Sequence, residues 1–222
     1  MDDAVFIGGW WLPATDLQAR RTAGKVSTVR PVVQGRTAWQ YSKIMEAAML
    51  PKTHKTAIDI GAHIGWWSCW LVQKFEKVVA FEPVPLQYDL LRKNVTRSNF
   101  DAVNCALGFE RGQVWFDVEE VNTHRAFITD GGSQVTAELR RLDDFSFVDV
   151  SFIKIDVEGY EKRVLLGGEE TIRRDKPVIV IEQLGHEERY SEERDSATTL
   201  LKEWGAVELI PQQKGDYFMG WV

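Results

Sequence analysis

Residues 58–68 of the chain read IDIGAHIGWWS, and this stretch decides the fold. The apolar residues around its start predict a buried strand at 56–60, and Gly61 and Gly65 predict a tight turn that leads into a helix. Dehydrogenases that bind a dinucleotide carry G-x-G-x-x-G at this place. The pattern here is D-x-G-x-x-x-G, in which the carboxylate of Asp59 would repel a diphosphate. The stretch therefore favours a site for a cationic ligand over a nicotinamide site.

From residue 56 onward, short β-rich segments alternate with helical patterns, which is typical of an α/β domain built from βαβ units. Strands are predicted at residues 56–60, 77–81, 102–106, 148–155 and 178–181. Helices are predicted at residues 65–74, 85–97 and 160–174, the last interrupted by Gly167 and Gly168. The sheet is therefore expected to be mostly parallel and Rossmann-like.

The C-terminal residues predict how this sheet is closed. A helix is expected at 192–204, with Ser191 as its N-cap, and two strands follow at 206–210 and 217–222. The short polar loop between these strands leaves no room for a crossover helix, so the two strands must be antiparallel to each other. One antiparallel strand near the C-terminus is thus expected in the sheet.

The domain organisation is predicted from length and position. A chain of 222 residues suits one α/β domain with a full core. Residues 1–50 precede the first strand and are interpreted as an N-terminal extension that forms a substrate or cap region, with residues 51–222 as the ligand-binding domain. Residues 113–140 show short alternating segments around Gly131 and Gly132, which predict a small β insertion.

Composition disfavours several classes of protein. No segment approaches the roughly 18 uninterrupted apolar residues of a membrane span, and the N-terminus MDDAVFIGGWWLP begins acidic, unlike a secretory signal. Cys69 and Cys105 lie in predicted core elements and are interpreted as buried thiols. We therefore expect a cytoplasmic protein without a membrane span.

The charge distribution bears on the partners. The net charge of −6 and the pI of about 5.3 disfavour nucleic acid, because capture of a polynucleotide usually needs a basic face. Residues 17–45 nevertheless lack acidic residues and carry the cations Arg20, Arg21, Lys25, Arg30, Arg36 and Lys43. Either this segment recognises an anionic group of a small-molecule acceptor, or it forms a solvated basic surface.

The second predicted strand ends in VVAFEP, which places Glu82 about 20 residues beyond the Gly-rich turn. An acidic residue at the tip of the neighbouring strand can accept hydrogen bonds from both hydroxyls of a ribose. The combination of Asp59 and Glu82 therefore predicts a cationic ligand that also carries adenosine. The alternative is that Glu82 is an exposed acidic residue of a loop.

Four motifs together resemble the FkbM family of S-adenosylmethionine-dependent methyltransferases. They are IDIGAHIG with Ser68, AFEP at 80–83, NCALG at 104–108 and FIKIDVEGYE at 152–161. Their order and spacing match the family, and the resemblance covers about residues 55 to 185. It implies a class I methyltransferase fold, S-adenosylmethionine as the cofactor, and methylation of a hydroxyl on a sugar or a similar small molecule.

The resemblance also implies which residues surround the cofactor. The expected set is Asp59, Gly61, His63, Gly65, Glu82, Pro83, Asn104, Cys105, Ala106 and Asp156. His63 departs from the family, which frequently carries Asn at this position. The detail of the contact with the carboxylate of the cofactor is therefore in question at His63.

Candidate catalytic residues follow the fourth and fifth predicted strands. Methyl transfer to an alcohol requires alignment of the two partners and removal of a proton from the oxygen. Asp156 is the first candidate for the base and Glu158 the second, with His186 as a further candidate. The alternative is that these carboxylates only shape the pocket.

An alternative role for the residues at these strand ends is to bind a metal ion. Asp156, Glu182 and Gln183 carry oxygen atoms of the kind that bind Mg²⁺. Such side chains are common near strand ends, so the pattern favours a site without a divalent metal.

Two further functions are compatible with the same fold. One is a methyltransferase that acts on nitrogen of nucleic acid or protein, against which the absence of an N-P-P-Y tetrapeptide counts. The second is a non-catalytic binding module, which would have no need of the carboxylates at the strand ends.

Overall fold

Strands and helices alternate along most of the chain in the computed structural model, which describes residues 3–25, 31–119, 122–123, 125–129, 131 and 135–222. The helices are α1 Leu17–Gly24, α2 Tyr41–Ala48, α3 Ser68–Leu71, α4 Pro85–Asn94, α5 Glu161–Gly167, α6 Glu169–Asp175 and α7 Ser196–Glu203. The first strands are β1 Ala4–Ile7, β2 Trp10–Pro13, β3 Val32–Val33, β4 Arg36–Thr37, β5 Thr56–Ile60, β6 Lys77–Phe81 and β7 Phe100–Val103. The remaining strands are β8 Ala106–Leu107, β9 Gly112–Val118, β10 Ala126–Thr129, β11 Val135–Arg140, β12 Val150–Ile155, β13 Val178–Glu182, β14 Val207–Gln213 and β15 Asp216–Gly220.

The central sheet has seven strands in the order β14-β15-β13-β12-β5-β6-β7. Strands β7, β6, β5, β12 and β13 are parallel to one another, whereas β15 is antiparallel to both of its neighbours. The short turn between β14 and β15 enforces this inversion. The predicted fold class, a mostly parallel sheet with one antiparallel strand near the C-terminus, is confirmed.

The strands next to the Gly-rich turn are buried on both faces, which explains their apolar sequences. Ile58 and Ile60 of β5 point into one core cluster, and Ala57, which precedes them, points into the other. In β12, Phe152 and Ile153 likewise point into different core clusters. Helices therefore cover both faces of the sheet, and only its edges are open to ligands.

The predicted β insertion is confirmed, since β9, β10 and β11 form a separate sheet that is completed by β8. The predicted strand at 102–106 is wrong, because the chain leaves the central sheet after Val103 and enters the smaller sheet at Ala106. Asn104 lies at this corner. Its amide nitrogen donates hydrogen bonds to the carbonyls of Glu82 and Pro83, which holds the corner against the end of β6. Gly132, which belongs to the predicted insertion, lies outside the described residues.

Two predicted helices are shorter than expected. The helix after the Gly-rich turn, expected at 65–74, is α3 with turns on either side. One reason is that Asn94 donates its amide N–H to the carbonyl of Ile64, an oxygen that a longer helix would have used. The next helix is expected to reach residue 97, but α4 ends at Asn94 and Val95 is extended.

The C-terminal helix begins later than predicted. Ser191 is not its N-cap, because residues 186–190 form a 3₁₀ helix and Ser191 follows it with a φ of 56°. Helix α7 begins at Ser196 instead. The buried carboxylate of Glu187 accepts a hydrogen bond from the amide of Asp195, which holds the intervening loop in its non-helical path.

The N-terminal residues pack against α4. Asn94 joins them, since its side chain donates to the carbonyl of Trp11 at 2.9 Å and accepts from the amide of Trp11 at 2.8 Å. Trp10 is buried beside Trp66 and Trp70, with 4.6 Å between the ring centroids of Trp10 and Trp66. In the part of the chain that the structure describes, none of the helices has the length and apolar character needed to cross a membrane.

Candidate active site

A cavity of about 340 Å³ opens at the carboxyl ends of β5, β6, β12 and β13. Ligands of open α/β sheets bind at this edge. Its lining contains most of the predicted site residues: Asp59, Gly61, His63, Glu82, Pro83, Cys105, Ala106, Asp156, Glu158, Glu182 and His186. Gly65, Asn104 and Gln183 lie outside this lining. The structure thus brings together residues that are up to 127 positions apart, from Asp59 to His186.

The Gly-rich turn has two glycines with different surroundings. Gly61 has a φ of 76°, and a Cβ at this position would lie 1.9 Å from the carbonyl oxygen of Asp156. Only glycine therefore allows the end of β5 to pass this close to the end of β12. Gly65 has a φ of 94°, and its missing side chain leaves room for Leu91 and Val95 of the neighbouring helical segment.

Glu82 is held by the turn that follows β5. Its Oε2 accepts a hydrogen bond from the amide of His63 at 2.7 Å, and its Oε1 accepts one from the amide of Val84 at 2.9 Å. The side chain is buried, and this burial raises the pKa of Glu82 to about 7 despite the two amide donors. A carboxylate offers about four acceptor positions, so two remain for a ligand in the cavity.

Asp59 lies at the floor of the cavity, at the end of β5. The hydroxyl of Ser68, at the start of α3, donates a hydrogen bond to Asp59 Oδ2 at 2.5 Å. Burial raises the pKa of Asp59 to about 6, while Ser68 and the ammonium of Lys154 act in the opposite direction. The carboxylate therefore adds negative charge to the cavity at neutral pH.

His63 connects three parts of the molecule. Its Nε2 lies 2.8 Å from the hydroxyl of Thr123 in the insertion, and that hydroxyl donates to Oδ2 of Asp16 at 2.5 Å. Because the hydroxyl proton of Thr123 is directed at Asp16, Nε2 of His63 must be the donor toward Thr123. The imidazole is thus used to hold the insertion and the N-terminal residues over the Gly-rich turn.

The segment after β7 contributes an apolar wall. Cys105, Ala106 and Leu107 line the cavity and are buried, together with Phe81 and Phe116. Burial raises the pKa of the Cys105 thiol to about 12, so this cysteine is a neutral apolar surface rather than a nucleophile. The wall is suited to the flat face of an aromatic ligand group.

The candidate catalytic residues lie together after β12 and β13. Oε2 of Glu158 is 2.7 Å from Nδ1 of His186 and 3.8 Å from the guanidinium of Arg189. Burial raises the pKa of Glu158 to about 7 and lowers the pKa of His186. Asp156 is more exposed, with 36% of its side chain accessible, and lies 3.3 Å from Nζ of Lys154.

Glu182 and Gln183 occupy different surroundings although they are adjacent. The nearby carboxylate of Asp156, followed by burial, raises the pKa of Glu182 to about 9. Gln183 is buried behind the cavity, where it donates to Glu187 at 2.7 Å and accepts from the amide of Thr198 at 3.0 Å. Among the described residues, no three His, Cys, Asp or Glu side chains are grouped as metal ligands would be.

Three of the cations of residues 17–45 have partners away from the cavity. Arg20 donates to the carbonyl of Ala14, and the guanidinium of Arg36 stacks over Trp10 at 4.9 Å. Lys43 pairs with Asp216 below the sheet edge. Arg30 lies outside the described residues. The described part of this segment instead contributes Gln18, Thr22 and Trp39 to the cavity lining.

Several residues of the lining were not predicted from the sequence, among them Lys154, Trp39 and Arg125. Lys154 is the lone charged residue of β12, and its position two residues before Asp156 was the available signal, because residues two apart share a face of a strand. Trp39 comes from the N-terminal residues and Arg125 from the insertion. No local pattern marks either of them, since only the tertiary packing brings these segments to the cavity.

Comparison with known proteins identifies related methyltransferases. The model of the family described as Methyltransferase FkbM domain matches residues 59–207. A curated relative, the methyltransferase sdnD of Sordaria araneosa, is 28% identical over 155 residues, in a match that covers 51% of this chain and 60% of the relative. The chain therefore spans 60% of the length of that curated relative.

Two solved structures are among those similar to this chain. An FkbM methyltransferase from Methylobacillus flagellatus is 20% identical, over 75% of this chain and 43% of that chain, with a TM-score of 0.49. The precorrin-6y C5,15-methyltransferase of Geobacter metallireducens is 12% identical, over 90% of this chain and 93% of that chain, with a TM-score of 0.47. Since the family match extends over more than half of the sequence, the chain belongs to the FkbM-domain methyltransferase family.

Proposed function

We propose that the protein is an S-adenosylmethionine-dependent O-methyltransferase that acts on a hydroxyl of a sugar or a similar uncharged small molecule. The observation that carries this proposal is the arrangement of one cavity across four strand ends. Asp59 and Glu82 lie at β5 and β6, and Asp156 and Glu182 lie at β12 and β13. A cofactor and an acceptor can therefore share one space while different carboxylates serve each of them.

The residues present fit the cofactor. Gly61 lets the end of β5 lie directly against the end of β12, so Asp59 and Asp156 line one cavity. Glu82 has acceptor positions left for the two ribose hydroxyls, and Cys105 and Ala106 belong to the apolar wall suited to adenine. When bound, S-adenosylmethionine supplies a methyl group on a cationic sulfur, and Asp59 contributes the complementary negative charge.

Asp156 is the proposed base toward the acceptor. The hydroxyl must lose its proton as its oxygen is methylated, and a carboxylate within hydrogen-bond reach can take that proton. The ammonium of Lys154, 3.3 Å from Oδ2, favours the ionised form of Asp156 that this step requires. Glu158 and His186 form the alternative base, since they line the same cavity and face each other at 2.7 Å.

The lining favours an uncharged acceptor over an anionic one. None of the described cations of residues 17–45 lines the cavity, whereas several carboxylates do. Trp39, Trp66 and Trp67 also line the cavity, and aromatic faces stack on the apolar side of sugar rings. These features support a carbohydrate hydroxyl and give no support to a polynucleotide as the acceptor.

Calorimetric titration with S-adenosylmethionine tests the cofactor assignment. We expect heat of binding for the natural protein and at least a tenfold weaker affinity for Glu82→Ala, because the ribose would lose its acceptor. Glu76→Ala is the matched control, since Glu76 is exposed and pairs with Lys55 at the surface. Absence of binding to the folded natural protein would overturn the proposal, and circular dichroism would establish that each variant is folded.

A methyl-transfer assay with labelled cofactor tests the acceptor class. Sugars, nucleotide sugars and glycolipids form the panel, and transfer to uncharged sugars is the expected result. Asp156→Asn should lower turnover by roughly 10²–10⁴-fold while cofactor affinity is retained. Methylation of RNA or DNA in place of every hydroxyl acceptor would contradict the proposed substrate class.

A further inference from the structure

A row of charged side chains lies on one face of the central sheet below the cavity. Lys154 of β12 is directly opposite Asp59 of β5, and Glu182 of β13 is directly opposite Asp216 of β15. Asp156 is two residues beyond Lys154, so it points to the same face. Four neighbouring strands therefore direct ionisable groups into one buried layer.

Ion pairs connect part of this row into a continuous chain. Nζ of Lys154 is 3.3 Å from Oδ2 of Asp156 and 3.8 Å from Oδ1 of Asp216, and the other oxygen of Asp216 pairs with Lys43 of α2. We call these four residues the buried ion chain. Lys154 and Asp216 are 2% and 1% exposed, so water screens their charges very little.

Glu182 and Asp156 lie side by side at the ends of two paired strands, because the residues before them, Ile181 of β13 and Ile155 of β12, are direct partners and both carboxylates line the cavity. Two ionised carboxylates at neighbouring positions repel each other, since each of them carries a negative charge and is only an acceptor. A single proton held by one of the two removes this repulsion. The raised pKa of Glu182 agrees with this geometry and places the proton on Glu182 at neutral pH.

We propose that Asp156 and Glu182 form a pair that holds a single proton before methyl transfer, and that the other members of the buried ion chain, Lys154, Asp216 and Lys43, set the proton affinity of this pair. The proposal rests on the proposed function, in which Asp156 receives the proton of the acceptor hydroxyl. Before the transfer the single proton is on Glu182 and Asp156 is ionised. After it Asp156 carries the proton of the acceptor hydroxyl, and the pair returns to its starting state when partly exposed Asp156 releases one proton to solvent. Lys154, Asp216 and Lys43 are positioning residues, because they act through Asp156 and Glu182.

The signs of the charges along the chain produce a specific expectation. Lys154 stabilises the ionised pair, Asp216 partly neutralises Lys154, and Lys43 partly neutralises Asp216. Removing the charge of Lys154, of Asp216 or of Lys43 should therefore raise, lower and raise, respectively, the proton affinity of the Asp156–Glu182 pair. The charged groups that face the pair from the surrounding elements are Lys154 from β12, Asp59 from β5, Asp216 from β15, Lys43 from α2 and Glu158 from the loop after β12.

The titration of Glu182 in the full-length protein tests the proposal. Carbon-13 at the carboxyl of glutamate is followed by NMR across a pH series, and Glu182→Gln identifies the resonance that belongs to Glu182. In the natural protein the midpoint should be close to pH 9. Asp156→Asn should lower it by more than about one pH unit, because the largest cause of the raised value is removed.

The decisive comparison is between the Glu182 midpoints of variants in the buried ion chain. Lys154→Met should raise the midpoint and Asp216→Asn should lower it, each by roughly one pH unit, and Lys43→Met should raise it by less. Lys43→Arg keeps the charge and should leave the midpoint in place. Lys55→Met, which removes an exposed cation from another ion pair, is the control.

A shift of the same sign in Lys43→Met and Asp216→Asn, or no shift in either, would overturn the proposal. These two variants lie outside the cavity lining, so the result does not depend on whether Lys154→Met folds. The measurement needs neither cofactor nor acceptor. The NMR titration can therefore contradict the proton-sharing pair while calorimetry still shows binding of S-adenosylmethionine. Calorimetry can likewise contradict the proposed function while the NMR titration supports the pair.

Discussion

The hydroxyl of Thr123 donates a hydrogen bond to Oδ2 of Asp16 at 2.5 Å, across a separation of 107 residues. The amide of Thr123 donates to the same oxygen at 3.0 Å, and Asp16 also caps α1 by accepting from the amide of Ala19. One buried carboxylate therefore joins the N-terminal residues to the insertion. His63 adds the third connection, to the Gly-rich turn of the cavity.

Substitution of Thr123 by Val should remove the contacts that the Thr123 hydroxyl makes with Asp16 and His63. Valine has nearly the same shape but leaves His63 and Asp16 without the hydroxyl, so we expect a loss of roughly 1–3 kcal/mol in the free energy of unfolding. Thr123→Ser keeps the hydroxyl and should lose much less. Urea denaturation measures both, and equal losses in the two variants would show that the hydroxyl has no special role.

Gly61→Ala should be much more harmful than the same change at Gly35. The two glycines have similar φ values of 76° and 78°, but a Cβ at Gly61 would collide with Asp156, whereas a Cβ at Gly35 would meet nothing within 4 Å. Backbone strain should cost about 1–2 kcal/mol at both sites, and the collision should add roughly 1–3 kcal/mol at Gly61. Thermal denaturation measures the difference. Equal losses at the two positions would contradict the close approach of the two strand ends.

Stability should fall as the pH rises from about 4 to about 8. Burial raises the pKa of Asp59 to about 6, of Glu82 to about 7 and of Glu161 to about 8. The folded protein therefore binds these protons more tightly than the unfolded chain, and the stability they contribute is lost as the pH passes the folded values. Urea denaturation at a series of pH values measures this slope.

Glu161→Gln should reduce the change of unfolding free energy with pH while keeping the hydrogen bonds that Glu161 accepts. A single oxygen of Glu161 accepts the amides of Val157 and Gly159, and the amide oxygen of Gln can accept both. The variant should match the natural protein near pH 4 and exceed its stability by a few kcal/mol at pH 8. Glu76→Gln, at an exposed site, serves as the control. An unchanged slope in Glu161→Gln would show that this carboxyl does not titrate with folding.

Cys105 should resist thiol reagents in the native protein. It is 1% exposed, and burial raises its pKa to about 12, so little thiolate forms at pH 8. Reaction with a disulfide reagent should be at least tenfold slower at Cys105 in the folded protein than after denaturation in urea. Mass spectrometry of the labelled protein distinguishes Cys105 from Cys69. Rapid modification of native Cys105 would show that this wall of the cavity opens to solvent.

Local sequence patterns were sufficient to predict most strands of the central sheet. The strands at 56–60 and 77–81 were predicted to the residue, because apolar runs bounded by turn residues depend on few distant contacts. The errors occurred where a side chain from elsewhere competes with the local pattern. Asn94 takes the carbonyl of Ile64 and shortens α3, and Asn104 holds the corner that ends the third strand early.

The sequence by itself determined the strand, the Gly-rich turn and the placement of Asp59, Glu82 and Asp156 at strand ends, because these depend on residues close together in the chain. Only the tertiary structure decided which charges surround them. Lys43 and Asp216 are 173 residues apart, and no local pattern can indicate that they meet beneath Asp156. Such contacts arise from the packing of α2 against the sheet edge, where buried charges must find partners wherever the fold brings them.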